Sequence, residues 1–330
     1  MPDIDNGNLK LLKKYIPVNS SDFKLILVFM FNCFFTDTHY LMLLLMGPAG
    51  SAKSFITKVL KTIIDPSEVT LRNQSTKAED LVIAAEHSHL ITLNNVSRLS
   101  NAIQDTLCTI LTGGVRTART LYSNKEQSAI YTHNPIIING IGEIISRDDI
   151  YDRSLVLHLK KISEMGINPV SEKILTEEFT NDLPRIMGGV FNSLKAILFE
   201  YRDFEPPEKL NRMADFHILG CVTEKALNWK QGTFSKIYNA NIVTAHSDVI
   251  EDSKIAQALI KMKKHNSEFD GSCAELIDKL SRYGGIGNIT PRKLRADIDR
   301  ISQSLLNVHG IKVIHLNRKN SSGRLTITFN

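Results

Sequence analysis

Apolar positions in this chain fall into a few short unbroken runs, separated by stretches with helical spacing. Tyr40 to Met46 (YLMLLLM) is the first run; it ends at Gly47 and is followed by GPAGSAKS, then by FITKVLKTIID with Phe55, Ile56, Val59, Leu60 and Ile63 apolar. That order predicts strand, glycine-rich turn, helix. HLITL (89–93) and PIIIN (135–139) are two further runs that do not alternate, as in strands covered on both faces. Strands separated by helical stretches predict a mostly parallel α/β sheet. RTARTLY and SAIYTH, on either side of SNKEQ, predict a β-hairpin with a polar tip directly before the third strand. Ahead of these, Asn19 or Ser20 caps a predicted helix through DFKLILVFMFNCFF, apolar on most faces.

From Ser163 the pattern changes to amphipathic helices, with a weak break at Asn168-Pro169 and a firmer one at Glu205-Pro206-Pro207. Past Asp252 come helices in KIAQALIKMKK and AELIDKLSRY, then a third opened by Thr290 as cap and Pro291 at its first position. Leu294, Ile298, Ile301 and Leu305 form one stripe of that helix and leave Arg292, Lys293, Arg295 and Arg300 off it. Strands IKVIHL and RLTITF close the chain around RKNSSG. Helices followed by a basic hairpin describe a winged helix. The domains expected are therefore 1–162, an α/β core with N-terminal helices; 163–252, all-helical; and 253–330, the winged helix.

Charge sharpens this division. The whole chain carries +5, yet residues 254–330 hold fourteen Lys and Arg against six Asp and Glu, so the rest is net negative. A basic tail suggests a polyanionic partner, or else a solvated basic surface with none. Arg292, Lys293 and Arg295 at the helix start, with Arg318, Lys319 and Arg324 around the wing, suit groove and phosphate contacts with DNA; winged helices also dock proteins. Other classes drop out. The longest apolar stretch, Leu25 to Phe35, is interrupted by Asn32 and falls short of the ~20 residues of a membrane span. The start, MPDIDNGNLK, lacks the order of a secretory signal, so a cytoplasmic protein is expected. Cys33, Cys108, Cys221 and Cys273 have no ligand spacing and read as reduced core residues.

The chemistry concentrates in Gly47 to Ser54. Gly47, Pro48, Ala49, Gly50, Ser51, Ala52, Lys53 and Ser54 match G-x-x-x-x-G-K-[ST] except that Ala52 replaces the second glycine. An alanine methyl fits there where the backbone dihedrals are helical. In such a loop the amides curl round the β-phosphate of ATP, Lys53 reaches the β and γ oxygens, and the Ser54 hydroxyl coordinates Mg²⁺. A carboxylate at the end of a neighbouring strand is expected to hold the metal through water, but HLITL delivers Asn94-Asn95. Asn94 carries no charge, so it either serves Mg²⁺ weakly or is a strand-end polar residue with the acidic role elsewhere or absent. Asn139 could orient a water beside the γ-phosphate, or be a turn residue before Gly140. Arg153 and Arg147 could be fingers reaching a neighbouring subunit's nucleotide, or pair with Asp148, Asp149 or Asp152.

Taken in order, GPAGSAKS, LRNQSTKAEDLVIAAEHSHLITLNNVSRLS, LCTILTGGVRTARTLYSNKEQ, PIIINGIGE, DDIYDRSLVL and RMADFHILG resemble the P-loop ATPases of phage and mobile-element primase-helicase proteins. These are ring-forming AAA+ relatives similar to superfamily 3 and MCM-like helicases. The likeness covers roughly residues 10 to 330, and alanine in the place of Ala52 is usual in that family. The departure is Asn94, where the family pattern carries Asp. The resemblance implies a P-loop AAA+ parallel sheet core with a helical lid, ATP held by Lys53 and Ser54, a sensor role for Asn139 and a trans-acting finger at Arg153. It also implies a hairpin at about 116–133 facing a central channel, where Arg119 and Lys125 would meet DNA. Arg185 or Arg212 would be a second sensor in the lid.

The function expected is an ATP-dependent DNA helicase or translocase, a hexameric ring on single-stranded and duplex DNA, with priming supplied by a separate primase. Two rivals remain open: a hydrolysis-poor ATP-binding initiator or helicase loader, and a repressor whose core is an oligomerisation scaffold.

Overall fold

The structure is a computed structural model and describes residues 1–74, 77–119, 127–142, 144–145, 147–168, 170–251, 253–265, 268–316 and 324–329. The chain divides into two compact units, Met1–Ile145 with Arg153–Asn239, and Ser146–Asp152 with Ala240–Asn330.

The first unit is built on a five-stranded parallel sheet in the order β2 (Arg72–Asn73), β3 (Ile91–Val96), β6 (Ile136–Gly140), β1 (Met42–Met46), β7 (Ser154–His158). β1 and β6 are buried along their whole length, which is why each reads as an unbroken apolar run. Around them the chain forms α1 (Ser20–Asn32), α2 (Lys53–Ile64), α3 (Ala78–His87) and α4 (Asn101–Thr112). Asn19 caps α1, its side chain accepting from the amides of Ser21 and Asp22. β4 (Gly114–Arg119) and β5 (Gln127–Thr132) pair antiparallel directly before β6, where the hairpin was expected. β7 was not anticipated as a strand: SLVLH is five residues long and follows a dense acidic stretch.

Three helices complete this unit: α6 (Glu172–Tyr201), α7 (Ala214–Ala226) and the start of α8 (Thr233–Glu251). α6 carries Pro184 and Gly188-Gly189 in its interior, normally helix breakers. The N-terminal segment explains the two glycines. Asp3 and Asn8 donate their amides to the carbonyls of Pro184 and Arg185, both at 2.8 Å. A Cβ on Gly188 would lie 1.8 Å from the Asp3 carbonyl oxygen, and one on Gly189 would lie 2.3 Å from the Leu9 amide, so only glycine permits this approach.

The second unit contains α5 (Asp148–Tyr151), the rest of α8, α9 (Lys254–Lys264), β8 (Phe269–Ser272), α10 (Cys273–Ser281), α11 (Pro291–His309), β9 (Ile311–Leu316) and β10 (Arg324–Phe329). Its sheet is antiparallel, in the order β8-β10-β9. Thr290 caps α11 with Pro291 in the first turn, and Leu294, Ile298, Ile301 and Leu305 are buried as one stripe. The Ser304 hydroxyl donates to Asp148 at 2.5 Å, its amide donates to the same carboxylate at 3.2 Å, and His246 Nδ1 lies 2.8 Å from the hydroxyl. These bonds fasten the short α5 to α11. Among the described residues no helix is long and apolar enough to cross a membrane.

One buried ion pair ties α2 to the sheet. Lys61 is 1 % exposed, and its ammonium donates to Asp65 at 2.6 Å and to the Leu90 carbonyl at 2.7 Å, while the same Asp65 oxygen accepts from the Leu90 amide at 2.9 Å. Burial works to raise the Asp65 pKa, but Lys61 and the Leu90 amide more than offset it and hold the carboxyl below its ordinary 3.8. Asp65→Ala leaves a buried ammonium half-satisfied and should destabilise the first unit by about 3–5 kcal/mol in urea unfolding. Because the folded pKa is depressed, the wild-type contribution is complete above 3.8 and is lost as pH falls through the lower folded value. The variant's unfolding should therefore lack that acid-side fall; an unchanged acid profile contradicts the assignment.

Candidate functional site

β1, β3 and β6 run parallel, with Leu45 opposite Asn139 and Leu93 opposite Ile138, so their carboxyl ends form one edge. The loop leaves β1 at Gly47 and enters α2 at Lys53. A Cβ at Gly47 would lie 2.4 Å from the Leu159 carbonyl oxygen, which accounts for the first glycine of the motif. Ala52 differs from expectation. Its φ and ψ are 61° and 14°, left-handed rather than right-handed helical, so the methyl is tolerated at a cost of about 1–2 kcal/mol rather than fitting freely.

The loop closes around its own lysine. Lys53 Nζ donates to the carbonyls of Gly47 and Pro48, both at 2.7 Å, and to Ser51 Oγ at 3.2 Å; Ser51 in turn donates to the Pro48 carbonyl at 2.8 Å. Burial lowers the ammonium's pKa from its ordinary 10.5. One residue on, Ser54 Oγ donates to Asn94 Oδ1 at 2.8 Å. Asn95 sits in the left-handed region at φ 55°, and the register of β3 against β6 shifts between Leu93 and Val96. This bulge is the local device that re-aims side chains at the strand end.

Asn139 is fully buried. Its Oδ1 accepts from the Asn95 amide at 3.1 Å and its Nδ2 donates to Thr57 Oγ1 at 3.0 Å, while Thr57 donates to the Lys53 carbonyl at 2.9 Å. Thr57 was not singled out from sequence; its position one helical turn after Lys53 was the available signal.

Lys53, Ser54, Asn94 and Asn139 thus converge. Arg153 does not join them: it precedes β7, its carbonyl accepting from the amide of Met42 at the first residue of β1, so it stands at the opposite end of the sheet from Gly47. Its Nε is buried and has no hydrogen-bond partner among the described residues. Arg147 pairs with Asp149 at 2.7 Å. In the second unit Arg292 and Lys293 are exposed and Arg295 half-buried at the start of α11, and Arg324 pairs with Asp270 at 3.2 Å. Lys125, Arg318, Lys319 and the side chain of Arg119 lie outside the described residues.

Beside the loop lies a cavity of about 540 Å³, walled by Ala49, Gly50, Ala52 and Phe55 on one side and by Tyr15, Ile162 and Val170 among others on the rest. Its size and apolar lining suit a flat organic group. Tyr15 is fixed there by a 2.6 Å hydrogen bond to Asp182; burial, aided by that carboxylate, pushes its hydroxyl up to about 12. The Ser54 hydroxyl and Asn94 amide oxygen are hard donors that fit a magnesium ion, with no charge of their own. Among the described residues no group of three or more His, Cys, Asp or Glu is arranged to hold a metal.

Sheet, loop and helix define an α/β protein whose candidate site lies at the carboxyl ends of parallel strands. Residues 10–240 match the actinomycete integrative conjugative element replication proteins, and the chain belongs to that family. The mobile-element side of the resemblance is thereby established, as is a role in replication. Among solved structures it is similar to the A form apo structure of the NrS-1 C-terminal region at 13 % identity, covering 97 % of this chain and 74 % of that one with a TM-score of 0.45. A further apo structure of the same region shares 12 % identity, covering 99 % and 75 %, again at 0.45. A JCV helicase bound to a thiazolopyridine-phenoxyphenyl acetamide shares 14 % identity, covering 67 % and 61 %, at 0.32. No curated protein matches the chain.

The left-handed Ala52 gives a direct test. Ala52→Gly should stabilise the protein by about 0.5–1 kcal/mol, because relief of the Cβ clash outweighs the extra freedom of the unfolded chain. A thermal melt should shift upward by roughly 1–2 °C. A downward shift would mean that the methyl is not strained.

Proposed function

We propose that this replication protein is an ATP-dependent, ring-forming DNA helicase or translocase. The observation that carries the reading is the meeting of Lys53, Ser54, Asn94 and Asn139 at one sheet edge beside an apolar slot. In this reading residues 1–162 are a P-loop AAA+ core, 163–252 a lid and 253–330 a winged helix. The slot takes the base of ATP, and the amides of the loop at the N-terminus of α2 take its β-phosphate. Lys53 exchanges the carbonyls of Gly47 and Pro48 for phosphate oxygens, which supplies a charged partner for an ammonium now held by neutral ones. Ser54 and Asn94 would hold Mg²⁺, which when bound neutralises charge on the phosphate oxygens.

Asn139 would act as sensor by relaying the position of Asn95 to Thr57 and so to the loop. β1 and β7 pair from Met42 with Ser154 to Met46 with His158, which puts Arg153 and Gly47 one residue beyond opposite ends and about 20 Å apart along the strands, too far for Arg153 to serve its own loop. It therefore serves as a finger only toward a neighbour's γ-phosphate, which favours a ring, a hexamer in our reading. DNA would meet Arg119 and Lys125 on the hairpin, and Arg292, Lys293, Arg295, Arg318 and Lys319 in the C-terminal domain. A second reading, a hydrolysis-poor initiator or helicase loader, is favoured by one observation: Ser54 faces the uncharged Asn94, not a carboxylate.

Steady-state ATPase with and without single-stranded DNA separates the two. DNA-stimulated turnover lost in Lys53→Ala supports the helicase, and tight binding with negligible turnover supports the loader. Asn94→Asp should raise turnover tenfold or more if metal charge balance limits the rate, on the order of 1.4 kcal/mol of barrier. Arg153→Ala should abolish turnover and spare ATP binding; equal loss of both removes its finger role.

A further inference from the structure

A second cavity, of about 580 Å³, lies elsewhere in the first unit and shares no residue with the slot beside the loop. Its walls come from the short 3-10 helix Leu9–Lys14, from α1, from α6 and from the turn after α7. Three lysines line it. Lys10 and Lys13 are three apart on a 3-10 helix, where such positions eclipse, so both side chains leave from one face. Lys24 of α1 holds its ammonium 5.1 Å from the ring centre of Trp229, and Lys13 holds its own 6.0 Å from that of Phe23.

No Asp or Glu lines this cavity. Among the described residues, no ion pair joins Lys10, Lys13 or Lys24 to a carboxylate, whereas the neighbouring Lys14 pairs with Glu178 at 3.1 Å. The three like charges share one cavity and oppose one another; Lys24 is met by the face of the half-buried Trp229 indole and Lys13 by that of Phe23. The wall itself depends on close backbone approach, since Gly7 and Gly189 are lining residues and a Cβ on Gly7 would come within 2.5 Å of the Gly188 carbonyl carbon.

We propose that this cavity binds a nucleotide unit, its base against the Trp229 indole and its phosphate on Lys10, Lys13 and Lys24. A flat aromatic wall beside uncompensated cations is complementary to a base joined to a phosphate. An acidic peptide would satisfy the lysines and leave the indole unmatched. The volume lies within the range of ordinary small-ligand pockets. The unit could be a free nucleotide or part of a single DNA strand, and either source uses the same contacts. The proposal goes beyond the ATP reading and stands without it.

Trp229 is the chain's single tryptophan, so its emission reports on this cavity directly. The experiment titrates full-length protein carrying Lys53→Ala, which removes the other proposed nucleotide contact, with thymidine monophosphate, a thymidine oligonucleotide and, separately, poly-glutamate. Saturable quenching is expected from the oligonucleotide, the monophosphate or both: oligonucleotide alone assigns a strand, equal affinity for the two assigns a free nucleotide. Lys10→Ala/Lys13→Ala should weaken the quenching by roughly tenfold or more. Both lysines are exposed, so an unchanged emission maximum without ligand verifies the fold of that variant. No quenching by either nucleotide, an equal response to poly-glutamate, or undiminished affinity in the double variant overturns the proposal.

Discussion

The 2.8 Å hydrogen bond from Ser54 to Asn94 exists only because two strands and a helix end at one level. β1 must hand the chain to α2 through a loop short enough to return it across the sheet edge, and β3 must stop beside that loop. Parallel strands demand crossovers, and crossovers demand helices on both faces. Much of the first unit follows from that demand: the buried β1 and β6, the packing of α2 against β3 and β6, and the Lys61–Asp65 pair that anchors the far end of α2 to the start of β3. Asn139 completes the edge by bonding the Asn95 amide and Thr57 at once, so a shift of any one member moves the others.

The edge is unusual in its charge. Its contacts are made by amides, hydroxyls and carbonyls, and Lys53 is held by neutral oxygens of its own loop. Under the ATP reading the phosphates themselves bring most of the negative charge that a metal and Lys53 require. In that reading turnover is sensitive to any charge supplied from outside, and we propose Arg153 as its source, a residue far from its own loop whose buried Nε has no hydrogen-bond partner among the described residues. The conjugative-element family to which the chain belongs gives replication as the setting for this chemistry.

The sheet centre was legible in the sequence because strands buried on both faces leave nothing to alternate, and the runs at 40–46, 89–93 and 135–139 became β1, β3 and β6 within a few residues. The stripe on α11 was legible for the complementary reason, a clean helical period. What escaped was set by tertiary contact. β8 is Phe-Asp-Gly-Ser, a poor strand by composition that forms because β10 offers it an edge. Gly188-Gly189 lie within α6, poor helix formers retained because the N-terminal segment needs the space that a Cβ would fill. The left-handed Ala52 and the register shift at Asn95 belong to the site itself, where backbone strain is expected to override local preference. The grip of Ser304 on Asp148 joins residues 156 apart, a separation no local pattern reports.

Everything rests on the amides of residues 47–54 enclosing a triphosphate, and hydrogen exchange reads those amides one stretch at a time. With saturating ATP and magnesium, exchange across Gly47–Ser54 should slow strongly, and the same addition to Lys53→Ala should leave it unchanged. ATP that binds measurably while the loop exchanges at its nucleotide-free rate would contradict the account.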